Sequence, residues 1–187
     1  SIPEPFMERV VKLIIEGSLL ELKQNLLGQF DVNRFFLPGQ IIHPVPSITN
    51  IKVCNSISSP TMLILAVLCE RPEIVKVLLS YNPDLSIKVN GYNALHYSSL
   101  TKDTSCLKIF LTCSYYQKNI SEPISEPYLF KETTNSLHIA VSNQNIASAI
   151  LLLNDLPQAV YYFCNHNTNN DNDNDNENKN DFDEDSD

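Results

Sequence analysis

NGYNALHYSS, residues 90–99, sets an Asn-Gly pair against a short apolar run that contains a histidine. Gly91 ends a tight turn and the following residues open a helix on this reading. The chain has only four histidines, so His96 is either a chemical group or a structural one. The choice depends on whether its surroundings recur.

They do. TMLILAVLCERPEIVKVLLSYNPDL from Thr61 and NALHYSSLTKDTSCLKIFLTCS from Asn93 superimpose without a gap at a shift of 32. Leu63 falls on Leu95, Ala66 on Ser98, Lys76 on Lys108 and Leu79 on Leu111. A further copy, NSLHIAVSNQNIASAILLLN, follows at a shift of 42, with Asn135, Leu137, His138 and Ala140 in register. Upstream, MERVVKLIIEGSLLELKQNLLGQFDVN fits the second half of the unit through Gly17, Leu22, Leu26 and Asp31-Val32-Asn33.

Each unit holds two short apolar-periodic segments joined by a polar turn, and each segment alone is too short to be stable in water. Leu63, Ala66 and Val67 make one stripe, Ile74, Val75, Leu78 and Leu79 another. A helix pair with apolar surface on more than one side must stack on copies of itself, which is the logic of an all-α solenoid.

The order G-Y-N-A-L-H-Y-S, a polar turn and C-L-K-I-F-L resembles the ankyrin repeat, whose first helix opens with Thr-Pro-Leu-His-x-Ala and whose second carries Val-x-x-Leu-Leu. PEIVKVLLSYNPD is the closest single match, and FDVN is similar to the family's repeat ending. The resemblance implies an all-α, ankyrin-like helical repeat solenoid over residues 1–164, with units near 6–33, 59–88, 89–118 and 131–160. Insertions fall at 34–58 and 115–130, and an acidic tail fills 165–187. Glu70, Lys102 and Gln144 stand where the family usually has glycine; a positive φ there costs each about 1 kcal/mol, whereas Asn82 suits the left-handed region better.

The first insertion, RFFLPGQIIHPVPSITNIKVCNSIS, carries Phe35, Phe36, Ile41 and Ile42, more apolar than a solvated connection needs. These either fold back onto neighbouring helices or form a hydrophobic recognition loop. The second, YYQKNISEPISEPYLFKET, is expected to be extended or turned, because Pro123 and Pro127 exclude a regular helix through it. Its Asn119-Ile120-Ser121 is a glycosylation pattern that a reducing compartment leaves unused.

Charge is uneven. Nine of the 22 acidic residues and only Lys179 of the 13 basic ones follow Cys164, so the tail carries −8 and the body −1. A tail of this composition cannot offset its ordering entropy and is expected to be disordered. Its Asp171, Asp173 and Asp175 alternate like a calcium loop, but Asn176 and Phe182 stand where that loop needs glycine and glutamate. Five cysteines without a CxxC pair favour a reducing compartment, cytoplasmic or nuclear. The mean hydropathy of −0.14 and the lack of a long apolar run argue against a membrane span.

For chemistry the signals are poor. Thr61, Asn93 and Asn135 stand at first-helix N-caps; an Asn93 side-chain oxygen can accept from the His96 N–H while the imidazole reaches back, and Asn135 and His138 stand in the same relation. A recurring histidine with its own cap residue reads as architecture rather than catalysis. No Cys/His cluster has zinc spacing, and no phosphate loop, nucleophile elbow or His-Glu-x-x-His motif occurs. No enzyme activity, cofactor, metal or nucleic-acid ligand is expected.

The function implied is protein–protein recognition by a monomeric adaptor or scaffold, through turn tips and the concave side of the first helices. The residues carried over are Ile57, Ser58, Leu68 and Cys69, then Val89, Asn90, Tyr92, Leu100 and Thr101, then Lys131, Glu132, Thr134, Ser142 and Asn143. Tyr92 leads them as an exposed aromatic at a tip, unless it packs on the neighbouring turn. Two other readings are open: a regulatory or anchoring segment of a longer protein, and a tail-driven binder of basic proteins with steep salt dependence.

Overall fold

The computed structural model describes residues 4–26, 31–36, 59–118 and 135–155. Helices α1 (Glu4–Glu16) and α2 (Leu19–Leu26) form the first pair, α3 (Met62–Leu68) and α4 (Pro72–Leu79) the second. Then come α5 (Ala94–Ser98) and α6 (Ser105–Leu111), the short α7 (Ser114–Lys118), and the last pair α8 (Ser136–Ser142) and α9 (Ile146–Asp155). The first helices of the pairs contact one another in the order α1, α3, α5, α8; α2, α4, α6 and α9 form a second layer in the same order. Among the described residues the only extended pairing is two isolated bridges, Phe35 with Thr61 and Val89 with Tyr92.

Why the chain turns back between paired helices is visible in the backbone. At Gly17, Glu70 and Gln144 φ is +79°, +53° and +55°. In each case the next amide bonds back five residues: Ser18 to Leu13 O, Arg71 to Ala66 O, Asn145 to Ala140 O. This is the left-handed helix ending that closes with a 6→1 bond. Two of the positions expected to take glycine's conformation therefore take it without glycine. Lys102 does not. In that unit the helix stops two residues early, because Ser98 and Ser99 hydroxyls both donate to Leu95 O and the Thr101 hydroxyl lies 3.0 Å from Ser98 O and 3.1 Å from Asp103 O. Leu95 O keeps its helical bond from Ser99 N–H at 3.2 Å and takes the hydroxyls in addition, so the last turn is closed by side chains and the unit ends without a left-handed residue.

The core runs the length of the stack. Every residue of α3 and α5 is buried. Met7, Val10, Ile14 and Leu22 continue it at one end, and Leu137, Ile139 and Leu152 at the other. Repeat endings are held by a recurring turn: Asp31 Oδ1 accepts from Asn33 N–H and Asp84 Oδ1 from Ser86 N–H, both at 2.9 Å. Asp84 N–H also donates to Asn33 Oδ1 at 2.7 Å, tying one ending to the next.

The expectation of an extended second insertion is corrected at its start, where residues 115–118 belong to α7. The physical reason is Tyr116. It is fully buried, its ring meets Phe110 edge-on at 5.4 Å, and its hydroxyl donates to Leu85 O at 3.0 Å. Residues 37–58, 119–134 and 156–187, including Ile41, Ile42 and the acidic tail, lie outside the described residues.

Candidate interaction surface

His96 and His138 come first, as the groups most able to do chemistry. Asn93 Oδ1 accepts from His96 N–H at 3.0 Å and the Asn93 N–H donates to His96 Nδ1 at 3.1 Å. Accepting from an amide requires a lone pair on Nδ1, which puts the proton of the neutral ring on Nε2. The side chain is 1% exposed. In the last unit the box is looser: His138 N–H to Asn135 Oδ1 is 3.2 Å and Asn135 N–H to His138 Nδ1 is 3.4 Å. Thr61 caps α3 through Ile64 N–H at 3.3 Å, and with Ile64 in the histidine's place nothing reaches back.

Nor do the thiols offer a nucleophile. Burial pushes Cys69 up to about 12 against the lowering influence of Arg71. Burial, with Asp103 and Glu70 nearby, pushes Cys106 to about 12, and Cys113 is raised by burial too. A thiol so shifted is not a thiolate at neutral pH. No cluster of three metal-binding side chains occurs among the described residues. A hollow beside Asn33, Thr61, Leu85 and Tyr116 measures about 10 Å³, room for about one water.

Geometry is more informative at the fingers that join successive pairs. In the third unit Val89 N–H donates to Tyr92 O and Tyr92 N–H to Val89 O, at 2.9 and 3.1 Å. Asn90 and Gly91 close the tip with φ of +51° and +83°, the two-residue hairpin turn that Asn-Gly favours. The preceding finger has the same base. Phe36 N–H donates to Pro60 O at 2.9 Å, and no reciprocal bond is possible because proline has no N–H. Between those two residues the chain runs through 37–59 instead of through two residues. Phe36 is fully buried beneath the base, while Phe35 is 43% exposed.

This arrangement corrects the surface assigned from sequence. Tyr92 is 1% exposed. Closing the hairpin turns its ring inward, edge-on to His96 at 6.1 Å and tilted on Tyr97 at 5.5 Å, while Tyr97 donates its hydroxyl to Val89 O. Leu68, Cys69, Val89, Leu100 and Thr101 are buried as well, since α3 and α5 are enclosed along their whole length by the pairs on either side, together with the residues that flank them. Asn90, Ser142 and Asn143 are exposed. Ile57, Ser58, Lys131, Glu132 and Thr134 lie outside the described residues.

One set of residues was not singled out from sequence. Arg71, Asp103 and Asn145 occupy one position, just past the turn between paired helices. Arg71 Nη2 and Nε donate to Ile15 O at 2.6 and 3.2 Å. Asn145 Nδ2 donates to Ser99 O at 3.0 Å and Thr101 O at 2.8 Å, while its Oδ1 accepts from Ser148 N–H. At Asp103, which cannot donate from its carboxylate, the direction reverses: its own N–H donates to Glu70 Oε1 at 3.0 Å. Each junction between pairs thus carries a polar bracket at this position.

Two-layer stacking of helix pairs, recurring caps on the first helix and fingers between pairs agree with the sequence comparison. The model for ankyrin repeats, in three copies, matches residues 10–122. The chain belongs to the ankyrin repeat family. No curated protein matches the sequence. The pair α8/α9 lies past the matched residues, yet repeats the cap and the left-handed turn of the ankyrin units before it. Ankyrin repeats are generally protein–protein interaction modules and typically non-catalytic. Among the described residues no helix is long and apolar enough to cross a membrane.

Proposed function

We propose that the chain is a non-catalytic adaptor of the cell interior, cytoplasmic or nuclear, acting as a monomer that recognises a protein partner along its finger edge. The observation that supports this is the pair of equivalent fingers, one closed by Asn90-Gly91 and the other carrying residues 37–59 on the same hydrogen-bonded base. Insertions that leave a repeat scaffold intact collect on the face that meets partners, where a rigid base positions variable chain. The contact residues on this reading are Phe35 and Asn90, together with Ile57, Ser58, Lys131, Glu132 and Thr134 carried over from the sequence; Ser142 and Asn143 are exposed at the far end of α8, beside the Gln144 turn, and fall off this edge. The body's charge of −1 suits a protein partner better than a nucleic acid.

The test is quantitative affinity capture with the full chain, a chain with 37–59 replaced by Asn-Gly, and a chain ending at 164. A partner lost with the shortened finger, while circular dichroism and thermal midpoint are retained, supports the reading. A partner lost only with the tail, in a salt-dependent manner, overturns it in favour of a tail-driven binder.

A further inference from the structure

The last helix presents an apolar surface that the other outer helices do not. With Arg71, Asp103 and Asn145 aligned, Ile150 stands where α4 has Lys76 and α6 has Lys108, both exposed. Ile150 is itself 51% exposed, and Ile146 and Leu153 are 71% and 43% exposed. Their spacing, i, i+4, i+7, places them on one stripe about 10 Å long. Val141, at the end of α8, is 48% exposed where the equivalent Val67 and Ser99 are fully buried.

A fifth helix pair stacked beyond α8/α9 would cover Val141 and Leu153, as α5 and α6 cover the equivalent Val67 and Leu79. It would not cover Ile150, since Lys76 stays exposed although α6 stacks directly beyond α4. An occupant that covers the whole stripe has to cross the outer side of α9. The chain supplies one. Residues 156–164, LPQAVYYFC, follow α9 directly and hold Leu156, Ala159, Val160, Tyr161, Tyr162 and Phe163. Beyond Cys164 the chain has Phe182 and no aliphatic side chain, so apolar content ends where it would no longer serve this face. Pro157 blocks continuation of the helix, and nine residues extended reach about 30 Å, enough to turn and return along the stripe.

We propose that residues 156–164 dock on the Ile146–Ile150–Leu153 stripe and close the ankyrin stack at its C-terminal end. This rests on the exposed face of α9 and on the sequence of residues 156–164, and is independent of the finger-edge reading.

The chain has no tryptophan, so Tyr161→Trp or Phe163→Trp in the full chain gives a single reporter. The expected result is blue-shifted emission from at least one reporter, independent of protein concentration and resistant to acrylamide. Ile150→Lys, the residue the other repeats carry, shifts it toward the value in urea without changing circular dichroism. Ile146→Lys serves the same purpose should Ile150→Lys lose the fold. Solvent-like emission from both reporters overturns the proposal. So does a blue shift that grows with concentration alongside a dimeric mass, which assigns the stripe to a second copy, or one that ignores both lysine variants.

Discussion

Asn145→Ser isolates the polar bracket between the last two ankyrin pairs. Serine keeps the N-cap that Asn145 Oδ1 provides to α9 through Ser148 N–H, since the two residues cap about equally well. Its hydroxyl is too short to reach the carbonyls of Ser99 and Thr101, which Nδ2 holds at 3.0 and 2.8 Å. Each neutral hydrogen bond contributes about 1 kcal/mol net, so losing both costs about 2 kcal/mol. Asn145→Ala loses the cap as well, about 1 kcal/mol more, for a total of about 3 kcal/mol. For a chain of this size, 2 kcal/mol lowers the thermal midpoint by about 4–8 °C. Urea unfolding followed by circular dichroism measures both variants. Because repeat arrays lose cooperativity at their ends, amide hydrogen exchange over α8 and α9 should be read alongside it. Asn145→Ser within 0.5 kcal/mol of the parent, with α8 and α9 protection unchanged, would refute the idea that this side chain joins the pairs.

Gln144→Gly, at φ of +55°, should stabilise by about 1 kcal/mol in the same unfolding assay. Glu70→Gly relieves the same strain but removes the acceptor of Asp103 N–H, so it should come out near neutral; equal gains at both sites would contradict this. Gly17→Ala should cost more than about 1 kcal/mol, since φ is +79° and a new Cβ lies 3.2 Å from Arg71 Nε, displacing the guanidinium from Ile15 O. Asp84 and Asp103 are held below the usual carboxylate value by hydrogen bonds from Ser86 and Ser105. Their contribution is therefore present above about pH 4 and lost as pH falls below it. The Asp84→Asn, Asp103→Asn variant should show a shallower acid decline in urea midpoint, and an unchanged decline would count against it. Site-resolved alkylation at pH 7.5 should modify Cys113 well before Cys69 and Cys106, which burial holds near 12; equal rates in the folded chain would mean that α3 and α6 open readily.

What the sequence revealed were features repeated in register. Asn93 with His96 and Asn135 with His138 could be read as caps because a cap is local, reaching three residues along the chain. Tyr92 was ambiguous for the opposite reason: whether a ring beside a turn points out or in depends on Tyr97 and on the far strand of its own hairpin. Lys102 matched glycine positions by alignment, yet the hydroxyls of Ser98, Ser99 and Thr101 ended the helix another way. The polar bracket escaped notice because Arg71, Asp103 and Asn145 share a place and a task but no chemistry, one of them being served by its backbone.

The finger base at Phe36 and Pro60 has a consequence for engineering. Its hydrogen bond joins residues outside the tip, so it does not depend on what lies between them, and closing a longer loop costs only about 0.6 kcal/mol per doubling of length. Phe36 stays anchored in the core and Pro60 leads directly into the Thr61 cap. The two residues thus form a graft site: foreign segments of widely different length can be exchanged there, with the helices behind them indifferent to the change.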